Sequence, residues 1–294
     1  MSSLQLGEII NGLQSGEVVP YLGPGVLADV KYAADGRALL GEGEALIVAM
    51  NGGRPLHARL MTDFARAAMS LELSKGRKFL TNFLEKTYGG SSYAGGAVQE
   101  WLASLSLPYI IDTNRDVRLQ DLWAGRPHTL VVGIARLTAS WNRFRIWESD
   151  GISYRDVALE AVNGDLPVLF KPLGTPRPTP TFVASDADYV DYITELMGGF
   201  AIPGFLKESR PGKRYLVIGL RLTRDTQRMI LSDMIVDAGS PAGWVLIPEP
   251  TAKERRYCAS KNIEIIECGI PELLEAAAGR SHNGAKQGRT AVPA

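Results

Sequence analysis

Three short stretches of the chain set glycines and polar side chains in patterns that could do chemistry. The first is Gly23-Pro24-Gly25, which follows the β-favouring run Val18-Val19-Pro20-Tyr21-Leu22. A strand running into a glycine turn so early opens many nucleotide-binding folds, because glycine lets a backbone approach a ligand closely. Pro24 removes one backbone donor from that turn, and the same residues also make an ordinary strand-to-loop connection. The second is Asp112-Thr113-Asn114-Arg115-Asp116, at the end of Tyr109-Ile110-Ile111. An asparagine amide donates and accepts at once, which suits orienting a water, and an aspartate accepts hydrogen bonds from an amide. Asn114 and Asp116 would equally serve as turn or cap residues after a strand. The third is Gly219-Leu220-Arg221-Leu222, at the end of Tyr215-Leu216-Val217-Ile218. Arg221 can pair with a phosphate or with a surface carboxylate. Asp225 beyond it also reads as the N-cap of a helix.

Other reactive side chains are few. The histidines are His57, in a Gly/Pro-rich segment, His128, just before a strand, and His282, near the C-terminus. Cys258 and Cys268 lie ten residues apart with no histidine nearby, which reads as two buried thiols and no metal site. Ser185 and Tyr189 could line a pocket, although helix capping and core packing account for both.

These stretches need strands to hold them. Besides the three runs above, strands are expected at Leu130–Gly133, Val168–Phe170, Trp244–Ile247 and Ile263–Ile266. Residues 143–162 read as a β-hairpin around the turn signal Asp150-Gly151. Apolar residues at helical spacing predict three helices between the first two strands, at about 58–74, around Phe79–Leu84 and at 97–105. Ser185 and Asp188 mark a capping-box start for a helix through Leu196. Further helices are expected at the N-terminus, at 226–236, at 251–260 and at 271–278. Residues 28–56 read as irregular or as short helices, TPRPTPT at 175–181 as an extended proline-rich loop, and 280–294 as a disordered tail. Alternating strands and helices predict a mainly parallel α/β sheet covered on both faces, with its ligand at the carboxyl ends of the strands.

Composition narrows the function classes. Hydrophobic residues make up 45% of the 294 and charged residues 22%, as in a globular protein, which excludes a collagen-like or globally disordered chain. Lys+Arg and Asp+Glu are both 32, so bulk charge gives no pull toward nucleic acid or an anionic membrane. Two cysteines cannot build a disulfide framework, and a reducing cytoplasmic setting is expected. The N-terminus lacks the pattern of a signal peptide, and no apolar run is long enough to span a membrane.

Taken in order, the motifs resemble the sirtuin-like family of NAD-binding proteins, and in particular its bacterial branch without a zinc module. The opening strand and turn, VVPYLGPGV, DTNRD, Lys171-Pro172-Leu173-Gly174, FVASDADY and VIGLRLTRD follow the family's sequence of strand ends over about residues 8–275. The resemblance implies a Rossmann-like core over residues 1–279, a small helical insertion at about 40–106, and NAD or a related nucleotide as ligand. It implies that Gly23, Pro24 and Gly25 face a pyrophosphate. Asn114 would sit by the nicotinamide ribose to orient a water or acceptor, and Asp116 by the nicotinamide amide. Gly219 and Arg221 would lie on the adenosine and phosphate side. Leu173 stands where the family carries its general-base histidine, and leucine cannot transfer a proton. Two functions follow: a catalytically degenerate nucleotide sensor or regulatory module, or an NAD glycohydrolase in which Asn114 and Asp116 are catalytic. ADP-ribosyl transfer and deacylation rank below these. A protein partner and a homo-oligomer are compatible with the sequence, which identifies neither.

Overall fold

The computed structural model describes residues 3–90, 92–137 and 140–287. Its centre is a nine-stranded sheet. In chain order the strands are β1 Val18–Leu22, β2 Tyr109–Asp112, β3 His128–Gly133, β4 Phe144–Ser149, β5 Tyr154–Asp156, β6 Val168–Lys171, β7 Arg214–Ile218, β8 Gly243–Leu246 and β9 Ile263–Ile266. Their order across the sheet is β9-β8-β7-β1-β2-β6-β3-β4-β5. All pairings from β9 to β3 are parallel, while β4 and β5 add an antiparallel edge. This is the Rossmann-like α/β architecture expected from the alternation of strands and helices.

The central strands are apolar on both faces because both faces are covered. Side chains alternate across the sheet at the strand period of two. Val18, Leu22, Ile110, Leu130, Val132, Leu216 and Ile218 enter the core layer with Leu6, Ile9 and Leu13 of the helix Ser3–Gln14 and with the helices between β1 and β2. Val19, Tyr21, Ile111, Val131, Phe170, Tyr215 and Val217 enter the opposite layer, with Tyr192, Ile193, Ile230, Leu231 and Cys258. A one-residue slip of β1 would exchange these two sets, so register is tightly specified.

The hairpin at 143–162 is β4 and β5, with Ser149 opposite Tyr154. The capping-box helix runs over Asp186–Met197 from Ser185, and Asp188 Oδ2 accepts from the Ser185 N–H at 3.0 Å. Several details differ from expectation. Between β1 and β2 there are five α-helices among the described residues: Glu44–Met50, a short helix within 28–56, and then four where three were expected, Ala58–Met61, Phe64–Lys75, Arg77–Tyr88 and Ala97–Ser104. The single stripe at 58–74 is broken where Asp63 turns its carboxylate onto Ala65 N at 3.1 Å and starts a new helix. In the proline-rich loop, Gly174-Thr175 pairs antiparallel with Thr181-Phe182, so the segment is a small hairpin. The last helix is Ile270–Gln287 and continues through the first part of the expected disordered tail, while residues 288–294 lie outside the described residues.

Candidate functional site

Parallel pairing of β1 with β7 and with β2, and of β2 with β6, brings all three stretches and the end of β6 to one edge of the sheet. The register sets Leu22 beside both Ile218 and Asp112, and Ile111 beside Phe170. Asp112 and Lys171, the next residues along β2 and β6, therefore end up side by side. Lys171 Nζ donates to Asp112 Oδ2 at 2.6 Å, and both side chains are buried.

The other oxygen of Asp112 holds Asn114. Asp112 Oδ1 accepts from the Asn114 backbone N–H at 3.0 Å and from its Nδ2 at 2.8 Å, and Nδ2 also donates to the Gly23 carbonyl at 3.2 Å. Both partners are acceptors, so the amide orientation is dictated: its nitrogen faces Asp112 and Gly23, and its oxygen lies on the other side. The amide has two N–H bonds and both are engaged, which leaves Asn114 Oδ1 as the group able to accept from a water or a ligand hydroxyl.

Asp116 is buried, and its Oδ1 accepts from the Arg118 N–H at 2.8 Å. Its Oδ2 has no hydrogen-bond partner. Burial, opposed by Lys171 and reinforced by Asp112, pushes this carboxyl up to about 6. A buried carboxylate oxygen without a donor is costly and is the kind of atom that a ligand N–H would satisfy.

The glycines serve another purpose in this conformation. Gly23 N donates to Ile218 O at 2.9 Å, Gly25 N to Gly219 O at 2.7 Å, and Val26 N to Gly23 O at 3.2 Å. With Pro24 contributing no donor, the turn offers no cluster of free N–H groups for a pyrophosphate. The glycines are there because the β1 and β7 turns nearly touch. A Cβ on Gly25 would lie 2.9 Å from Gly219 Cα, and one on Gly219, whose φ is +69°, would lie 2.7 Å from Val26 N.

Arg221 is fixed elsewhere. Its Nε and one Nη donate to the two oxygens of Glu254, each at 2.9 Å, a bidentate fork. Glu254 also accepts from Leu222 N at 3.0 Å and from Thr251 N at 2.9 Å. Burial raises the Glu254 carboxyl, but these donors outweigh it and hold the group down at about 2. Asp225 is the first residue of the helix Asp225–Met234 and pairs with Arg228 one turn on.

Leu173 lies at this edge and is buried. With Tyr21, Pro24, Glu42, Thr113, Tyr189, Leu220, Gln227 and Ile230 it lines a cavity of about 20 Å³. That is room for about one water, whereas small-molecule pockets run to some hundreds of cubic ångströms. Neither His57 nor His128 hydrogen-bonds to Asn114. His57 is exposed and caps the helix Ala58–Met61, accepting from Arg59 N at 3.4 Å. His128 is buried at the amino end of β3, with its ring nitrogens 2.8 Å from Arg126 O and 2.7 Å from the Tyr154 hydroxyl. Desolvation lowers its pKa, which favours the neutral ring.

Sequence reasoning missed Asp112, Lys171, Arg115 and Glu42. Arg115 is buried, with Nε donating to Val183 O at 3.1 Å, one Nη to Tyr189 Oη at 3.1 Å, and the other Nη to the Glu42 carboxylate. A charged residue ending each of two apolar strands, Asp112 and Lys171, was the available signal, but it speaks only once the strands are known to be neighbours.

A family model for the SIR2-like domain matches residues 108–266, over half of the chain. The chain belongs to the SIR2-like family. No curated protein matches it at a significant level. The matched region runs from β2 to β9 and so contains the Asp112–Asp116 turn, the Leu173 turn and the Gly219–Arg221 turn of this SIR2-like protein. The β1 turn and the helices from Glu44 to Ser104 stand outside it and are tied to it through the β1–β7 and β1–β2 pairings. Cys258 and Cys268 are free, buried thiols, the first pushed up to about 11 by burial and then by Glu254. Among the described residues no cluster of three His, Cys, Asp or Glu side chains could hold a metal, and no helix is long and apolar enough to cross a membrane.

Proposed function

We propose that this SIR2-like protein is a nucleotide sensor or regulatory module that binds NAD without cleaving it at a useful rate. The observation that carries the reading is the burial of Leu173 at the strand edge, with His57 and His128 both hydrogen-bonded to groups other than Asn114. The strand edge retains two groups of the right kind for the nicotinamide riboside end of the ligand. One is Asn114 Oδ1, able to accept from a ribose hydroxyl or a water. The other is Asp116 Oδ2, unpartnered and suited to an amide N–H. The pyrophosphate end is not prepared in the same way, because the Gly23–Val26 donors are engaged by β7 and by the turn itself. NAD, when bound, would bring an electrophilic glycosidic carbon, and this chain would position it with Leu173 in place of a histidine to deprotonate an attacking hydroxyl. The sequence supports a cytoplasmic protein of the bacterial branch without a zinc module, with its protein partner, or a second copy of itself, as the reader of the bound state.

The second reading, an NAD glycohydrolase, is favoured by Asn114 itself, since a water-orienting amide can support hydrolysis through an oxocarbenium-like state. One experiment separates the two. Purified protein is titrated with NAD by calorimetry, and nicotinamide is followed chromatographically in the same samples. Binding without release above the uncatalysed rate is the expected result. Release that Asn114→Ala abolishes would overturn the sensor reading and establish the hydrolase.

A further inference from the structure

Arg115 is 3% exposed, and a guanidinium does not lose its proton in a protein. A buried cation of this kind requires an anion beside it. Val183 O and the Tyr189 hydroxyl are neutral. Among the described residues the carboxylate in contact with Arg115 is Glu42, whose side chain is 13% exposed.

Glu42 comes from outside the strand edge. It sits between Gly41 and Gly43, on the stretch leading into the helix Glu44–Met50, and a side chain added to Gly43 would meet nothing within 4 Å. Leu40, two residues before it, is held at its carbonyl by the Tyr88 hydroxyl at 2.7 Å. From there the Glu42 carboxylate reaches in to Arg115, the residue that directly follows Asn114. Glu42, Tyr189, Thr113, Leu173 and Leu220 together reduce the strand-edge cavity to about 20 Å³.

We propose that Arg115 is the centre of a phosphate site and that Glu42 is its built-in occupant, a latch that closes the strand edge until a ligand phosphate replaces it. The inference rests on the nucleotide-binding reading of this edge and adds its regulation. Glu42 cannot leave Arg115 bare, so opening is coupled to arrival of another anion. A neutral ligand of the same shape does not open the site.

The test uses inorganic pyrophosphate and NAD as probes on the full chain, wild type and Glu42→Gln. Glu42→Gln keeps the shape and removes the competing charge. Pyrophosphate is expected to bind this variant tighter than wild type by about tenfold or more, within the usual range for coupled sites, and to raise its melting temperature further. The Glu42→Gln/Arg115→Met double variant is expected to lose the effect. Equal affinity in wild type and Glu42→Gln, or an effect that survives in the double variant, overturns the proposal. Hydrogen exchange on the wild type gives a measurement that does not depend on any variant folding. Exchange of amides 39–45 is expected to speed up when pyrophosphate saturates the protein, and unchanged exchange at saturation overturns the latch. NAD separates this proposal from the reading beneath it. Pyrophosphate coupling with no NAD binding by either protein supports the anion site and removes the nucleotide reading. NAD binding of equal strength in both proteins, with unchanged exchange at 39–45, keeps the nucleotide reading and removes the latch.

Discussion

The two halves of the carboxyl edge are built in opposite ways. Where β1 meets β7, contact is backbone on backbone: Gly23, Gly25 and Gly219 bring two turns together, and the Gly23 and Gly25 N–H groups bond to the facing carbonyls of Ile218 and Gly219. Where β2 meets β6, contact is side chain on side chain: Lys171, Asp112, Asn114 and Asp116 form a buried polar cluster in which Asp116 Oδ2 lacks a donor. The first half is complete in itself and serves the fold. The second half leaves Asp116 Oδ2 unsatisfied, and that is the atom the proposed ligand amide would pair with. Glycine motifs in one half and charged motifs in the other thus mean different things, though both resemble the same family pattern.

The sharpest way to break this comparison is Lys171→Met. It leaves Asp112 charged, buried and unpaired, and is expected to cost about 3–5 kcal/mol in chemical denaturation. Adding Asp112→Asn should recover much of that loss, since the double variant removes the charge while keeping an acceptor for Asn114. Two additive losses would mean that the pair is not a unit.

Gly219→Ala addresses the other half. The new Cβ would stand 2.7 Å from Val26 N at a φ of +69°, so strain and overlap together are expected to cost about 3 kcal/mol. A variant as stable as wild type would show that the β1–β7 contact is looser than its geometry.

Asp116→Asn tests the unpartnered oxygen through pH. The folded-state pKa of Asp116 is about 6, above the ordinary carboxylate value of 3.8, chiefly because of burial. The native state therefore holds the proton more tightly than the unfolded chain. Stability from this group is fully present below pH 4, falls as pH rises toward 6, and is flat above. Asp116→Asn escapes that fall, so its stability relative to wild type should rise by roughly 2–3 kcal/mol between pH 4 and pH 7. A difference independent of pH would mean that Asp116 is solvated or paired.

The smallest effect is expected at Arg221. Its side chain is 52% exposed, so Arg221→Ala should cost less than about 1 kcal/mol despite the bidentate geometry. A tenfold loss of NAD affinity in this variant, with stability unchanged, would move Arg221 from the fold to the ligand.

The helix start at Ser185 and Asp188 and the Asp150-Gly151 hairpin were legible because their signals are local: a cap and a turn are decided by residues within a few positions. The division of 58–75 into two helices was not, because Asp63 lies inside a stripe that keeps helical spacing on both sides of it. The candidate site was legible as a place but not as a mechanism. Asn114 and Asp116 could be located by their position after a strand, yet Asp112 reads from sequence as merely the end of that strand. Only pairing with β6 supplies Lys171, turns the Asp112 carboxylate into the clamp on Asn114, and decides which side of the amide faces Asp112.

By itself the sequence determined the α/β class, since apolar strand runs alternating with amphipathic helices have no comparable burial in another architecture. It determined the family resemblance and the absence of a histidine at Leu173, which are facts of residue identity. Tertiary structure decided what the motif glycines do, which charges neutralise one another, and that Glu42 pairs with Arg115. Those are contacts between residues 73 positions apart in the case of Glu42 and Arg115 and 59 in the case of Asp112 and Lys171. Hydrophobic periodicity is written along the chain, but a buried charge acquires its meaning only from the partner that folding brings to it.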